Sequence, residues 1–151
     1  MFFRFRNSFS TGFTLFEFLV TFGILALLIT VAAASLRAAG PSLAMRASAR
    51  MLASDLRYTS ELSSSTQIAH ALRINPISSS YTIVRLSDPE IVVKEVRLNE
   101  AIRMSEITIP SGSVIFNTLG ATSTPGTIRL THSNGATNII DVRPSGYVRI
   151  E

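Results

Sequence analysis

The chain has 151 residues, 46% hydrophobic and only 16% charged, with 14 Lys and Arg against 10 Asp and Glu and a net charge of +4. Charge is scarce where apolar residues crowd: Phe13 to Leu36 carries Glu17 alone. That excludes a simple soluble globule, and a chain so rich in Ile, Leu and Val is not a disordered one.

In chain order, residues 1–12 (MFFRFRNSFSTG) hold Arg4 and Arg6 and no acid. The positive-inside rule keeps this segment in the cytoplasm and sends the residues beyond the apolar run outward. As a helix, Phe13–Leu36 is about 36 Å long, enough to cross a hydrocarbon core of about 30 Å. Two ordinary readings of such a run are a secretory signal peptide cut after Ala32-Ala33-Ala34 and an uncleaved signal anchor. Neither calls for Glu17. A charge at the centre of a membrane helix costs about 2.5–3.5 kcal/mol, less toward the ends, so an acid there is by default functional and needs a partner.

Beyond the apolar run the helix is expected to continue outward. Gly40-Pro41 predicts a kink or brief break, because proline removes a backbone donor and crowds the preceding turn. Leu43–Ser63 is amphipathic. Met45, Ala49, Leu52, Leu56 and Thr59 form one apolar stripe. Arg46, Arg50, Arg57 and Glu61 occupy another face, with Arg57 and Glu61 at the i,i+4 pairing distance. Ser63-Ser64-Ser65 predicts its end.

The rest reads as short strands: Ile68–Ile74, Tyr81–Leu86, Ile91–Leu98, Arg103–Ile109, Ser113–Phe116, Ile128–Thr131, Asn138–Arg143 and Tyr147–Ile150. Turns fall at Asp88-Pro89, Pro110–Gly112, Asn134-Gly135 and Pro144-Ser145-Gly146. Thr118–Gly126 is the most loop-like stretch. Short strands with tight turns predict an antiparallel sheet or two small packed sheets, with the amphipathic helix as the other layer: an α+β domain.

Gly12-Phe13-Thr14-Leu15-Phe16-Glu17, followed by FLVTFGILALLITVAAA, resembles the processing and methylation site of type IV prepilins and pseudopilins. The resemblance implies a membrane-embedded prepilin peptidase that cuts between Gly12 and Phe13, N-methylation of Phe13, and filament assembly through Glu17. Cutting after Gly12 creates a cationic amine on Phe13, one helical turn from Glu17. An amine and a carboxylate that pair within the membrane offset each other's desolvation cost. The sequence leaves open whether Glu17 meets its own amine or a neighbour's.

The outer part of the chain resembles the GspH/FimT branch of minor pilins and pseudopilins. The matching residues are Ser48–Tyr58 (SARMLASDLRY), Val114-Ile115-Phe116-Asn117 with Gly120, Thr127-Ile128-Arg129-Leu130, and Val142–Arg149 (VRPSGYVR). The implied fold is a long N-terminal helix whose outer half packs on an antiparallel β-sheet or small β-sandwich. The implied organisation is a leader at 1–12, a transmembrane assembly helix at 13–36, its amphipathic continuation at 37–66 and a β domain at 67–151.

The implied role is a low-abundance subunit priming or capping a type IV pilus or type II secretion pseudopilus. The implied place is the inner membrane, crossed once with the N-terminus cytoplasmic and the globular domain outside, and then the filament. The implied partners are the prepilin peptidase, other minor and major pilins or pseudopilins, the inner-membrane assembly platform and membrane lipid.

Catalytic chemistry is not indicated. There is no cysteine, hence no disulfide, thiolate ligand or thiol nucleophile. His70 and His132 lie far apart without metal-ligand spacing, and each reads as a surface residue of a strand or turn. No nucleophile elbow or phosphate-cradling glycine loop is present. No enzyme activity, cofactor or metal is expected.

A DNA contact is the alternative. By resemblance, some FimT-type members of DNA-uptake systems bind DNA through a C-terminal Gly-Arg-x-Arg segment. Here that segment is Gly146-Tyr147-Val148-Arg149, with Tyr in place of the first Arg. Arg129, Arg143, Tyr147 and Arg149 are the residues that could touch phosphates and stack on a base. Asp141 and Glu151 sit among them, and an ordinary surface with cross-strand ion pairs is the competing reading.

Overall fold

The computed structural model describes residues 13–151; the leader, with Gly12, lies outside the described residues. The elements are α1 (Leu15–Thr66), β1 (His70–Asn75), β2 (Ser80–Arg85), β3 (Ile91–Arg97), β4 (Ile102–Ile107), a 3-10 turn (Pro110–Gly112), β5 (Ser113–Phe116), β6 (Gly126–His132), β7 (Thr137–Val142) and β8 (Val148–Ile150). The chain divides into two compact units, Met1–Ala39 and Gly40–Glu151.

In the first unit, Leu15–Ala33 is long and apolar enough to cross a membrane, and none of it is buried within the protein. Its hydroxyls are satisfied internally. Thr21 donates to the Phe18 carbonyl at 2.8 Å and Thr30 to the Leu27 carbonyl at 2.7 Å. A spanning helix must settle its polar groups in this way, because lipid offers no partner. The break expected at Gly40-Pro41 does not occur: Pro41 lies inside α1.

In the second unit, the amphipathic stripe is where its spacing put it. Met45, Ala49, Leu52, Leu56 and Thr59 are buried, and Arg46, Arg50, Arg57 and Glu61 are exposed. Arg57 does not pair with Glu61. Its Nη2 donates to the Val148 carbonyl at 2.8 Å, tying the helix to the edge of β8. A rim carbonyl without a strand partner is a better-placed acceptor than a carboxylate that is already solvated.

Two four-stranded antiparallel sheets, ordered β3-β2-β1-β5 and β4-β6-β7-β8, complete the α+β fold. Strand alternation sets their inner faces. Leu72, Tyr81, Ile83, Val114 and Phe116 from the first sheet and Ile102, Met104, Ile128, Leu130 and Ile140 from the second join the helix stripe in one core. Each fully buried Leu or Ile in it contributes about 1.5–3 kcal/mol.

His70 and His132 are both buried, contrary to the expectation of surface positions. Each is held by local partners. His70 Nδ1 lies 2.8 Å from the Ile68 carbonyl, and its backbone N–H donates to Ser63 Oγ at 3.1 Å. His132 Nδ1 accepts the Asn134 N–H at 3.1 Å at the head of the β6–β7 hairpin.

Candidate functional site

The helix N-terminus is built as a reciprocal cap. Thr14 precedes the first helical residue, and Glu17 stands three residues on. The Thr14 Oγ1 accepts the Glu17 N–H at 3.2 Å, while Glu17 Oε2 accepts the Thr14 N–H at 3.1 Å and the Thr14 hydroxyl at 3.0 Å. Such a box satisfies two of the donors that every helix start leaves open. It also places a carboxylate at the positive end of the helix dipole. Glu17 Oε1 has no hydrogen-bond partner among the described residues. Phe13, just ahead of the box, is 77% exposed.

Of the four residues of the DNA reading, Arg129 on β6 and Arg149 on β8 lie in the second sheet. Arg143 and Tyr147 flank the β7–β8 turn: the Arg143 N–H donates to the Tyr147 carbonyl at 2.9 Å, and the guanidinium sits 5.9 Å from the Tyr147 ring centroid. Arg149 lies opposite Asp141 in the β7–β8 register. Each arginine has its own carboxylate: Arg129 with Glu106 at 3.1 Å, Arg143 with Asp141 at 3.3 Å, and Arg149 with Glu151 at 3.6 Å. The structure thus brings Arg143 and Tyr147 together and leaves this face charge-balanced.

The β7–β8 turn is seated by glycines. Gly146, at φ +82°, packs on the Gly120 carbonyl, where a β-carbon would collide. Ser60 on α1 donates to that same carbonyl at 2.7 Å, and the Thr122 N–H donates to the Pro144 carbonyl at 3.0 Å. Helix, β5–β6 loop and β7–β8 turn therefore meet at one point.

A buried polar group missed by sequence reasoning is Asp55. It lies on the inward face of α1, accepts the Tyr81 hydroxyl at 2.7 Å, and receives Lys94 Nζ at 2.7 and 2.8 Å on its two oxygens. Its signal was an acid set between Leu52 and Leu56 in an otherwise apolar stripe. Burial first, then the hydrogen bond to Asp55 and its negative charge, push the Tyr81 hydroxyl far above its ordinary pKa. Among the described residues no group of three or more His, Cys, Asp or Glu is placed to hold a metal.

No protein-family model matches the chain, and no curated protein matches it in sequence. Solved structures match it in fold. The minor pseudopilin EpsH of the type 2 secretion system of Vibrio cholerae superposes with a TM-score of 0.62 at 14% identity, covering 71% of this chain and 95% of that one. The type IV minor pilin FimU of Pseudomonas aeruginosa superposes with a TM-score of 0.58 at 14% identity, covering 71% and 87%. The chain has the minor-pilin fold. The likeness covers 71% of the chain.

Proposed function

We propose that the chain is a minor pilin or pseudopilin, a structural subunit that primes or caps a type IV pilus or type II secretion pseudopilus and carries out no catalysis of its own. The observation that carries this reading is the pairing of a minor-pilin fold with an apolar helix whose first turn holds Glu17. Prepilin peptidase cuts between Gly12 and Phe13, and the freed Phe13 nitrogen becomes a methylated cationic amine. Glu17 then has one oxygen engaged in its own cap and the other open to an incoming amine.

A carboxylate so divided keeps its helix start while it pairs with a neighbour, so neither charge stays unpaired in lipid. The subunit crosses the inner membrane once, with its N-terminus cytoplasmic, and leaves the bilayer sideways into the filament against other pilins and the assembly platform. The test is mass spectrometry of the membrane form with Gly12→Ala and Glu17→Ala. A start at methylated Phe13 in the wild type, no cut in Gly12→Ala, and a processed but unassembled Glu17→Ala are expected. An intact Met1 start, or a start at Ser35, would refute the reading.

A further inference from the structure

The corner where β3 hands over to β4 holds a hollow of about 440 Å³ open to solvent, lined by Ser78, Ser79, Arg97, Leu98, Glu100 and Arg103. Ile77 stands at its lip, 97% exposed. Glu100 and Arg103 also line a second hollow of about 380 Å³ beside it.

Elsewhere on the β domain most cations are matched, Arg73 with Glu90, Lys94 with Asp55, and Arg129, Arg143 and Arg149 with Glu106, Asp141 and Glu151, while Arg85 has no carboxylate within ion-pair distance among the described residues and its Nε is buried without a hydrogen-bond partner. Arg97 and Arg103 are both exposed, and neither has a carboxylate within ion-pair distance among the described residues.

The backbone beside this hollow is open as well. β3 pairs only with β2, so the outer edge of Ile91–Arg97 carries free donors and acceptors. The opposite edge of the same sheet is clasped. Along β5, the Ser123 N–H and Thr122 hydroxyl both donate to the Ile115 carbonyl, and Thr124 Oγ1 accepts the Ile115 N–H at 2.8 Å. Edge strands are ordinarily guarded by a lysine pointing to solvent. Lys94 is on β3, but its ammonium is turned in to Asp55.

We propose that this corner is the docking groove for an extended acidic segment of a neighbouring filament subunit, whose carboxylates meet Arg97 and Arg103 while its backbone runs along β3. The proposal rests on the filament reading for the identity of the neighbour. Guanidinium pairs call for carboxylate or phosphate. Glu100 in the hollow and Glu95 on β3 disfavour a polyphosphate, whose charges are continuous, whereas a peptide can space its carboxylates between apolar side chains that the exposed Ile77 receives. A partner with acidic and apolar residues in alternation matches the two-residue period of an added strand.

The full chain in a non-ionic detergent is titrated with a fluorescein-labelled peptide of alternating Glu and Val, read by anisotropy, beside a Lys-Val peptide and a single-stranded oligonucleotide. The Glu-Val peptide is expected to bind, and Arg97→Gln and Arg103→Gln are each expected to weaken it about tenfold. Both side chains are exposed, and an unchanged circular-dichroism melt confirms that the variants fold. No binding of the Glu-Val peptide, equal binding by the double variant, or preference for the oligonucleotide overturns the proposal.

In cells, Arg97→Glu/Arg103→Glu is expected to be processed and inserted like the wild type, yet to lower the yield of filaments. If that variant assembles normally while Glu17→Ala does not, the groove is refuted and the filament reading stands. If Glu17→Ala also assembles normally, the pairing mechanism of the filament reading fails on its own.

Discussion

Lys94, the chain's one lysine, reaches from the edge strand β3 to Asp55 on α1 and lies 2.7 and 2.8 Å from its two carboxylate oxygens. Tyr81, fully buried between them, gives its hydroxyl to the same carboxylate. The three side chains join helix, β2 and β3. They are not of equal weight. The Lys94 side chain is 43% exposed, so its ion pair is screened and contributes about 0–1 kcal/mol. Removing Asp55 strands a buried hydroxyl, at a cost of about 1–3 kcal/mol. Urea unfolding is expected to rank Asp55→Ala as most damaging, then Tyr81→Phe, then Lys94→Met.

The same triad sets an alkaline limit. Tyr81 holds its proton more tightly folded than unfolded, because burial, the hydrogen bond and the charge of Asp55 all favour the neutral hydroxyl. Its contribution to stability is complete below the unfolded value of about 10 and is lost as pH rises past it. The urea midpoint is expected to fall above about pH 10 in the wild type. That fall is expected to be shallower in Tyr81→Phe.

Glycines at turns are separable by what surrounds them. Gly135 has a φ of +89° and open space, so Gly135→Ala carries only the left-handed penalty of about 1–2 kcal/mol. Gly146, at φ +82°, adds a collision with the Gly120 carbonyl. Gly146→Ala is expected to lower the melting temperature well beyond Gly135→Ala.

Thr14 caps the helix through its hydroxyl. Thr14→Val keeps the shape and loses the acceptor, weakening the helix start by about 0.5–2 kcal/mol. Thr14→Ser is expected to retain the cap and normal filament yield. Thr14→Val is expected to be processed normally and to assemble poorly, read as filament yield against membrane-bound subunit.

The charge balance of the second sheet bears on DNA. With Arg129, Arg143 and Arg149 each beside a carboxylate, the full chain is expected to give no salt-dependent mobility shift with duplex DNA. A shift abolished by Arg143→Ala/Arg149→Ala would instead assign the β7–β8 turn to DNA uptake.

Much of this architecture was legible because periodicity is local. The stripe from Met45 to Thr59 follows from helical spacing, and β5 lies at Ser113–Phe116, where the sequence put it. The Thr14-x-x-Glu17 cap is equally local, although the family resemblance points to an external role for Glu17 rather than to its own helix start. The features that stayed hidden depend on elements distant in the chain. Asp55 meets Lys94 across 39 positions, and Arg57 meets the Val148 carbonyl across 91. The burial of His70 and His132 likewise follows from tertiary packing rather than from spacing. Of the kink or brief break expected at Gly40-Pro41, the break is absent, since Pro41 lies inside α1.

The junction of Gly146, the Gly120 carbonyl and Ser60 leaves no room for a β-carbon, while the residues beside it, Leu119 and Tyr147, are 84% and 58% exposed. The two loops therefore share a fixed mount and an exchangeable display. Variants of this chain can alter what they present to solvent at Leu119 and Tyr147 by single substitutions, without re-engineering the joint beneath.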